Sequence, residues 1–236
     1  VASFEDIDPA LGTREDLADL TAQLREAGIS LCSDMVLNHV SHDHEWARGA
    51  LAGDERLRDY FHWLPTANDV ARWERHLPQV FPDTAPGNFT HIEARSAWVR
   101  TTFYPYQWDL NWANPEVFTE IAMALLNLAN QGVEAFRLDS TGYLWKREGT
   151  DCLNQPEVHD ILQALRALDA IGDLALSGAP IIGTYRSYCG GHKMNVAVLA
   201  ALFADKTAYE FVEAPTRREG ARDLRVAQPA YAPARS

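Results

Sequence analysis

Arg137 and Asp139 stand at i and i+2 in the apolar stretch Gly132-Val133-Glu134-Ala135-Phe136-Arg137-Leu138-Asp139. On a strand, such residues point to the same side. A guanidinium beside a carboxylate keeps it ionised and oriented, as a nucleophile or an electrostatic stabiliser requires. The same pair also makes an ordinary structural ion pair at the end of a buried strand, and these residues alone leave both readings open. A second segment, Asp34-Met35-Val36-Leu37-Asn38-His39-Val40-Ser41-His42-Asp43-His44-Glu45-Trp46, carries an Asp on an apolar run that ends in Asn-His. Its loop could ligate a metal through His39, His42, His44 and Asp43. No second ligand cluster occurs elsewhere, and the preferred reading sets Asp34, Asn38 and His39 beside Arg137 and Asp139 at neighbouring strand ends.

Those strand ends need elements to hold them. Thr13 can cap a helix running to Ala27, with Asp16 in its first turn. Leu17, Leu20 and Leu24 would form its apolar stripe, and Gly28 its end. Ile29 to Leu37 reads as a buried strand. A long connection follows over 41–113, rich in Trp, Phe, Pro, His and Asp. Asn114-Pro115 opens a helix with Phe118, Ile121, Leu125 and Leu128 on its apolar face, and Gly132 closes it. The strand at 133–138 comes next, then a helix from Pro156 to Ile171 and a further strand from Ala179 to Tyr185. Alternating helices and strands predict an α/β fold with a parallel sheet inside and helices outside. The long connection leaves the C-terminal end of a strand, where barrel enzymes build their active sites. Residues 1–214 are expected to form one catalytic domain. The Arg-, Ala- and Pro-rich tail over 215–236 lacks periodicity and is expected to be poorly ordered.

The composition narrows the function classes. The 236 residues carry a net charge of −12, the opposite of the basic face that nucleic acid requires. No apolar run approaches the roughly 18 residues of a membrane helix. Cys32, Cys152 and Cys189 form neither a disulfide framework nor a metal-ligand pattern, which points to free thiols in a reducing, cytoplasmic compartment. The first residues do not form a signal peptide. No pattern in the chain speaks to oligomeric state.

The two strand-end segments, Asp34 to His39 and Gly132 to Asp139, resemble the first two signatures of glycoside hydrolase family 13, the α-amylase family. Further stretches are similar to amylosucrases within that family: Asp8-Pro9-Ala10-Leu11-Gly12-Thr13, Val80-Phe81-Pro82-Asp83, Pro86-Gly87-Asn88-Phe89, Gln107-Trp108-Asp109-Leu110-Asn111-Trp112 and Leu144-Trp145-Lys146-Arg147. The resemblance covers about residues 7–170. It implies a (β/α)8 TIM-type barrel acting on sucrose, with retention of configuration and an α-glucan as acceptor. No cofactor or metal would take part in the chemistry. Asp139 would be the nucleophile that forms a β-glucosyl-enzyme, and Arg137 would orient it. His39 would hydrogen-bond a glucose hydroxyl, Phe81 and Phe103 would line the glucosyl pocket, and Asp34 and Asn38 would shape the strand end.

A retaining mechanism needs a second carboxylate roughly 5 Å from the first. The family places it as a Glu at the end of strand five, where this chain reads Gly178-Ala179-Pro180-Ile181-Ile182-Gly183-Thr184-Tyr185-Arg186-Ser187-Tyr188, without a Glu. The His-Asp pair of strand seven is not found, and the chain opens beyond the family's first strands. The expectation is therefore an incomplete barrel covering roughly strands three to six. It is either the nucleophile half of an amylosucrase-like transferase or hydrolase, or an inactive partial barrel with weak sugar binding. Among the other carboxylates, Glu134 should face away from Arg137, outside the barrel interior. Asp109 is either a binding residue or a loop cap, and Glu45 a solvated or helix-starting residue.

Overall fold

The computed structural model describes residues 1–175, 199–202, 204 and 207. The chain divides into two units, Val1–Leu199 and Ala200–Ser236. In the second, residues 200–202 and 204 are helical. The strand expected over 179–185 and the tail from 215 lie outside the described residues.

Helix α1 (Arg14–Glu26) starts with a reciprocal cap. The Thr13 hydroxyl oxygen accepts from Asp16 N, and Asp16 Oδ2 accepts from Thr13 N at 2.8 Å. These bonds hold the Asp16 carboxyl below its ordinary range. Strand β1 (Cys32–Val36) follows. After the intervening segment, helix α5 (Pro115–Asn130) opens with Asn114 accepting from Glu116 N at 2.9 Å and Pro115 in its first turn. It leads to strand β7 (Ala135–Asp139) and helix α6 (Pro156–Ala175). Strands β1 and β7 pair in parallel, the arrangement a helical crossover such as α5 produces.

Helix α1 docks differently from its leucine pattern. Thr21 is its buried residue, while Leu20 is half exposed and Leu17 and Leu24 are partly covered. The turn before β7 explains this. Gly132 has φ +100°, and a Cβ there would meet Thr21 Oγ1 at 2.6 Å, so helix and turn approach closely only because this residue is glycine. Arg25 Nε bonds Glu134 Oε1 at 2.9 Å across the same seam, so Glu134 faces the helix and not the site. The α5 stripe also turns slightly from the expected one. Val117, Ile121 and Ala124 are buried, with Phe118, Leu125 and Leu128 packed along its flank.

The region read as a long connection is folded, which corrects that expectation. It holds β2 (His39–Ser41), α2 (Glu45–Ala52), α3 (Glu55–Arg58), β3 (Trp63–Leu64), α4 (Ala67–Glu74), β4 (Phe89–Ile92), β5 (Ala97–Arg100) and β6 (Gln107–Asp109). Strands β3, β5 and β4 form an antiparallel sheet in that order, and β2 pairs antiparallel with β6. Strands of two to four residues are too short to show alternation in a sequence. The segment joins the main core through Val40, Trp108, Leu110 and Trp112, which pack with Met35, Leu37 and Ile121. Phe61 and Trp63 meet Trp108 edge to face, each at 5.4 Å. Both ends of the segment are pinned at one place: Trp112 Nε1 donates to Leu37 O at 2.9 Å, and Leu110 N to Asn38 O at 2.8 Å.

Candidate active site

Strand register brings the first group together. Asp34 lies opposite Arg137, and Val36 opposite Asp139. Neighbours in register share a face, so Asp34, Arg137 and Asp139 project to one side. Arg137 Nη1 donates to Asp34 Oδ2 at 2.6 Å, and its Nη2 to Asp139 Oδ1 at 3.0 Å. Ser140 Oγ donates to Asp139 Oδ2 at 3.1 Å, so both oxygens of Asp139 are engaged. Ser140 reaches that position with φ +57°, ψ +23°, a left-handed conformation uncommon outside glycine.

The cluster is open, not buried as the apolar strands suggested. The Arg137 side chain is 64% exposed and that of Asp139 39%. The reason is the width of the sheet: among the described residues β1 and β7 pair only with each other. An exposed pair of this kind contributes about 1 kcal/mol or less to stability.

Beside it lies His39, 5% exposed, which burial pushes down to about 4 against the pull of the Asp109 and Asp139 charges. It is therefore a neutral imidazole near pH 7, able to exchange hydrogen bonds with a hydroxyl. Phe103 packs against it at 5.1 Å and meets Tyr143 at 5.2 Å and Phe81 at 6.3 Å. His39, Phe103 and Phe81 thus form one wall. Tyr143 is an addition. Its signal was its place four residues beyond Asp139, on the loop leaving β7.

Beneath the wall sits a second charged group that sequence reasoning missed. Asp109 and Lys146 are completely buried, with Lys146 Nζ 2.9 Å from Asp109 Oδ2. Lys146 also donates to Asn38 Oδ1 at 2.6 Å and to the Tyr143 carbonyl. Arg100, 2% exposed, places Nε 3.5 Å from Asp109 Oδ2, and its cation lies over Trp73 and Phe89. Thr102 donates to both Asp109 oxygens, from N at 3.0 Å and from Oγ1 at 2.5 Å. Burial alone would raise the Asp109 pKa, but Lys146 and Arg100 outweigh it and hold the carboxyl well below the ordinary range. Burial and Arg100 push Lys146 down to about 8, against the pull of Asp109. Asp109 caps the Thr102 amide, the loop-cap role expected of it, and has a second role. It is the shared anion of two buried cations, and it sits opposite His39 in the β2–β6 ladder. Asn38 belongs to the same layer, its amide oxygen taken by Lys146, and supports the site from below.

The histidines of the 39–44 loop diverge. His44 caps α2, its Nδ1 accepting from Trp46 N at 3.2 Å, and burial lowers it to about 4. Glu45 starts that helix as expected. His42 faces Tyr106 and Asp43 at the surface. Among the described residues no three His, Cys, Asp or Glu side chains converge where a metal could sit. Cys32 is exposed, Cys152 is buried, and both are free, whereas Cys189 lies outside the described residues. No described helix is long and apolar enough to cross a membrane.

The family model "Alpha amylase, catalytic domain" matches residues 1–176. The chain belongs to the α-amylase family. It carries part of that family's (β/α)8 catalytic barrel. A second model, UDP-3-O-acyl N-acetylglycosamine deacetylase, matches residues 150–204, well under half the chain. The α-amylase-family chain is 35% identical over 174 residues to a glucosylglycerate phosphorylase of Allomeiothermus silvanus, covering 72% of this chain and 29% of that one. It is 34% identical over 166 residues to a trehalose synthase of Thermus thermophilus, covering 70% and 17%. The trehalulose synthase of Pseudomonas mesoacidophila shares the fold with a TM-score of 0.64 at 24% identity, over 71% of this chain and 32% of that structure. The chain spans less than a third of the length of these relatives.

Proposed function

We propose that this chain carries the nucleophile side of a retaining α-glucoside site. The observation behind the reading is one guanidinium, Arg137, that bridges Asp34 and Asp139 at adjoining strand ends, next to a neutral His39 and the Phe103 wall. Asp139 attacks the anomeric carbon of an α-glucosyl donor, the leaving oxygen departs with the bonding pair, and a β-glucosyl ester forms on the carboxylate. Arg137 holds Asp139 in place before attack and aims it. His39 hydrogen-bonds a glucose hydroxyl, while Phe81 and Phe103 pack on the sugar's apolar face. Water or a second sugar then takes the glucosyl group.

Small α-glucosides are the substrate class, supported by relatives named for trehalose and glucosylglycerate. Sucrose as donor and an α-glucan as acceptor form the finer proposal, resting on the amylosucrase-like stretches around Phe81, Asp109 and Lys146. A second reading, sugar binding without turnover, is favoured by the lack of a Glu between Gly178 and Tyr188. Proton transfer to a leaving group is worth about 10²–10⁴ in rate.

Leaving-group chemistry tests both readings. α-Glucosyl fluoride expels fluoride without a proton, so a nucleophile alone suffices. Incubation followed by intact and peptide mass spectrometry is expected to show one glucosyl unit on Asp139, absent in Asp139→Asn. Sucrose is expected to release fructose far more slowly. No adduct from a chain folded by circular dichroism refutes the nucleophile assignment, and rapid fructose release removes the reading of binding without turnover.

A further inference from the structure

The two phenylalanines beside His39 come from separate segments. Phe81 lies between α4 and β4, and Phe103 between β5 and β6. One carboxyl reaches both segments. Glu74 is the last residue of α4, where the helix dipole disfavours a negative group. Its oxygens are taken up elsewhere. Asn88 donates to it twice, from N to Oε1 at 2.6 Å and from Nδ2 to Oε2 at 3.1 Å. Two donors from one residue fix its main chain and its side chain together. Gly87 has φ +87°, a turn that glycine makes without strain and that brings Asn88 N to the carboxyl. Asn88 itself is 1% exposed.

Two routes lead from Asn88 to the wall. Back along the chain, Thr84 N and Ala85 N both donate to Phe81 O, at 3.3 and 2.8 Å. That turn is buried at Ala85, and Pro82 and Pro86 stiffen it. Across the sheet, Asn88 O accepts from Thr101 N at 2.8 Å, two residues before Phe103. Thr90 and Thr101 join their hydroxyls at 2.9 Å beside this bond. The end of α4 adds a ring contact of its own, Trp73 on Phe89 at 6.2 Å, with the Arg100 cation over both. Phe81 and Phe103, the ends of the two routes, meet at 6.3 Å.

We propose that Glu74 is a positioning residue for the aromatic wall. Acting through Asn88, it sets the spacing of Phe81 and Phe103 and thereby the affinity for a glucosyl ring. The proposal rests on the α-glucoside reading above. A wall held in its binding arrangement spares the ligand the cost of ordering two loops. With the clamp cut, the same rings remain but must be ordered by the sugar.

Equilibrium titration with methyl α-D-glucoside, followed by ligand-observed NMR, tests this without requiring turnover. Glu74→Ala should bind about threefold or more weakly than wild type, the worth of one hydrogen bond. Asn88→Ala keeps the main-chain bond and should lose less. The double variant should lose no more than Glu74→Ala, because both changes cut one connection. Glu74→Gln keeps an acceptor oxygen for Asn88 N and should recover most of the affinity. Thr13→Ala removes the α1 cap instead, lowering stability in urea denaturation while leaving affinity unchanged, which separates positioning from general weakening.

No binding by the wild type overturns the proposal. So does wild-type affinity in Glu74→Ala, an equal loss in Thr13→Ala, or losses that multiply in the double variant. Should circular dichroism show Glu74→Ala unfolded, Asn88→Ala decides in its place, and unchanged binding there overturns the proposal. Binding that depends on Glu74, in a chain that takes no glucosyl unit from α-glucosyl fluoride, supports the positioning role while refuting Asp139 as nucleophile. The two readings therefore fail separately.

Discussion

The chain contains two clusters of the same ingredients in opposite settings. Asp34, Arg137 and Asp139 place two carboxylates around one cation, open to solvent on the parallel pair of strands. Arg100, Asp109 and Lys146 place two cations around one carboxylate, fully enclosed below the β2–β6 ladder. In the open cluster water screens the charges, so little stability depends on them. In the enclosed one each charge depends on the other two, and losing one strands the rest. Solvation, more than composition, sets how much stability hangs on each cluster.

The largest effect is expected from breaking the enclosed cluster. Asp109→Asn leaves Lys146 and Arg100 buried without their anion and should cost about 3–5 kcal/mol in urea denaturation. Asp139→Asn should cost about 1 kcal/mol or less in the same assay while abolishing the glucosyl adduct.

Acid is the next lever. His39 and His44 are held near 4 and His62 near 3, all by burial, against an ordinary value of 6.5. A histidine lowered in the folded state binds its proton more readily when unfolded. The folded state therefore loses stability as pH falls from 6.5 through 4 to 3, and gains none above 6.5. Several kcal/mol should disappear over that window, measured by denaturation at stepped pH. A flat profile would show these imidazoles to be accessible.

Smaller effects test the open cluster. Arg137→Ala should change stability by about 1 kcal/mol or less but slow adduct formation about tenfold or more, with Arg137→Lys between. The smallest change is expected from Ser140→Gly. Relief of the left-handed backbone, about 1 kcal/mol, is set against the lost bond to Asp139, so the melting temperature should barely move while adduct formation slows.

Parts of this contrast were legible in the sequence. Thr13 with Asp16, Asn114 with Pro115, and Gly132 each state their role locally, and β1 and β7 lie within two or three residues of the expected spans. The open cluster was legible because Arg137 and Asp139 share a strand. The enclosed one was not: Arg100, Asp109 and Lys146 come from two short strands and a loop, and nothing local distinguishes a buried lysine from an exposed one. Leu20 misled in the opposite sense, since the turn at Gly132 set which face of α1 is covered.

The paired pins at Leu37–Trp112 and Asn38–Leu110 give the segment between them a modular character. Its two ends meet where β1 stops, so its length is nearly independent of the parallel pair. Doubling a closed loop costs only about 0.6 kcal/mol in chain entropy. The hydrogen bonds that close it fall at Leu37 O and Asn38 O, upstream of Phe81 and Phe103 in the wall beside His39. A differently sized or differently surfaced insert, grafted between the same two pins, would therefore replace the wall beside His39 while leaving the Arg137–Asp139 pair on its original chassis.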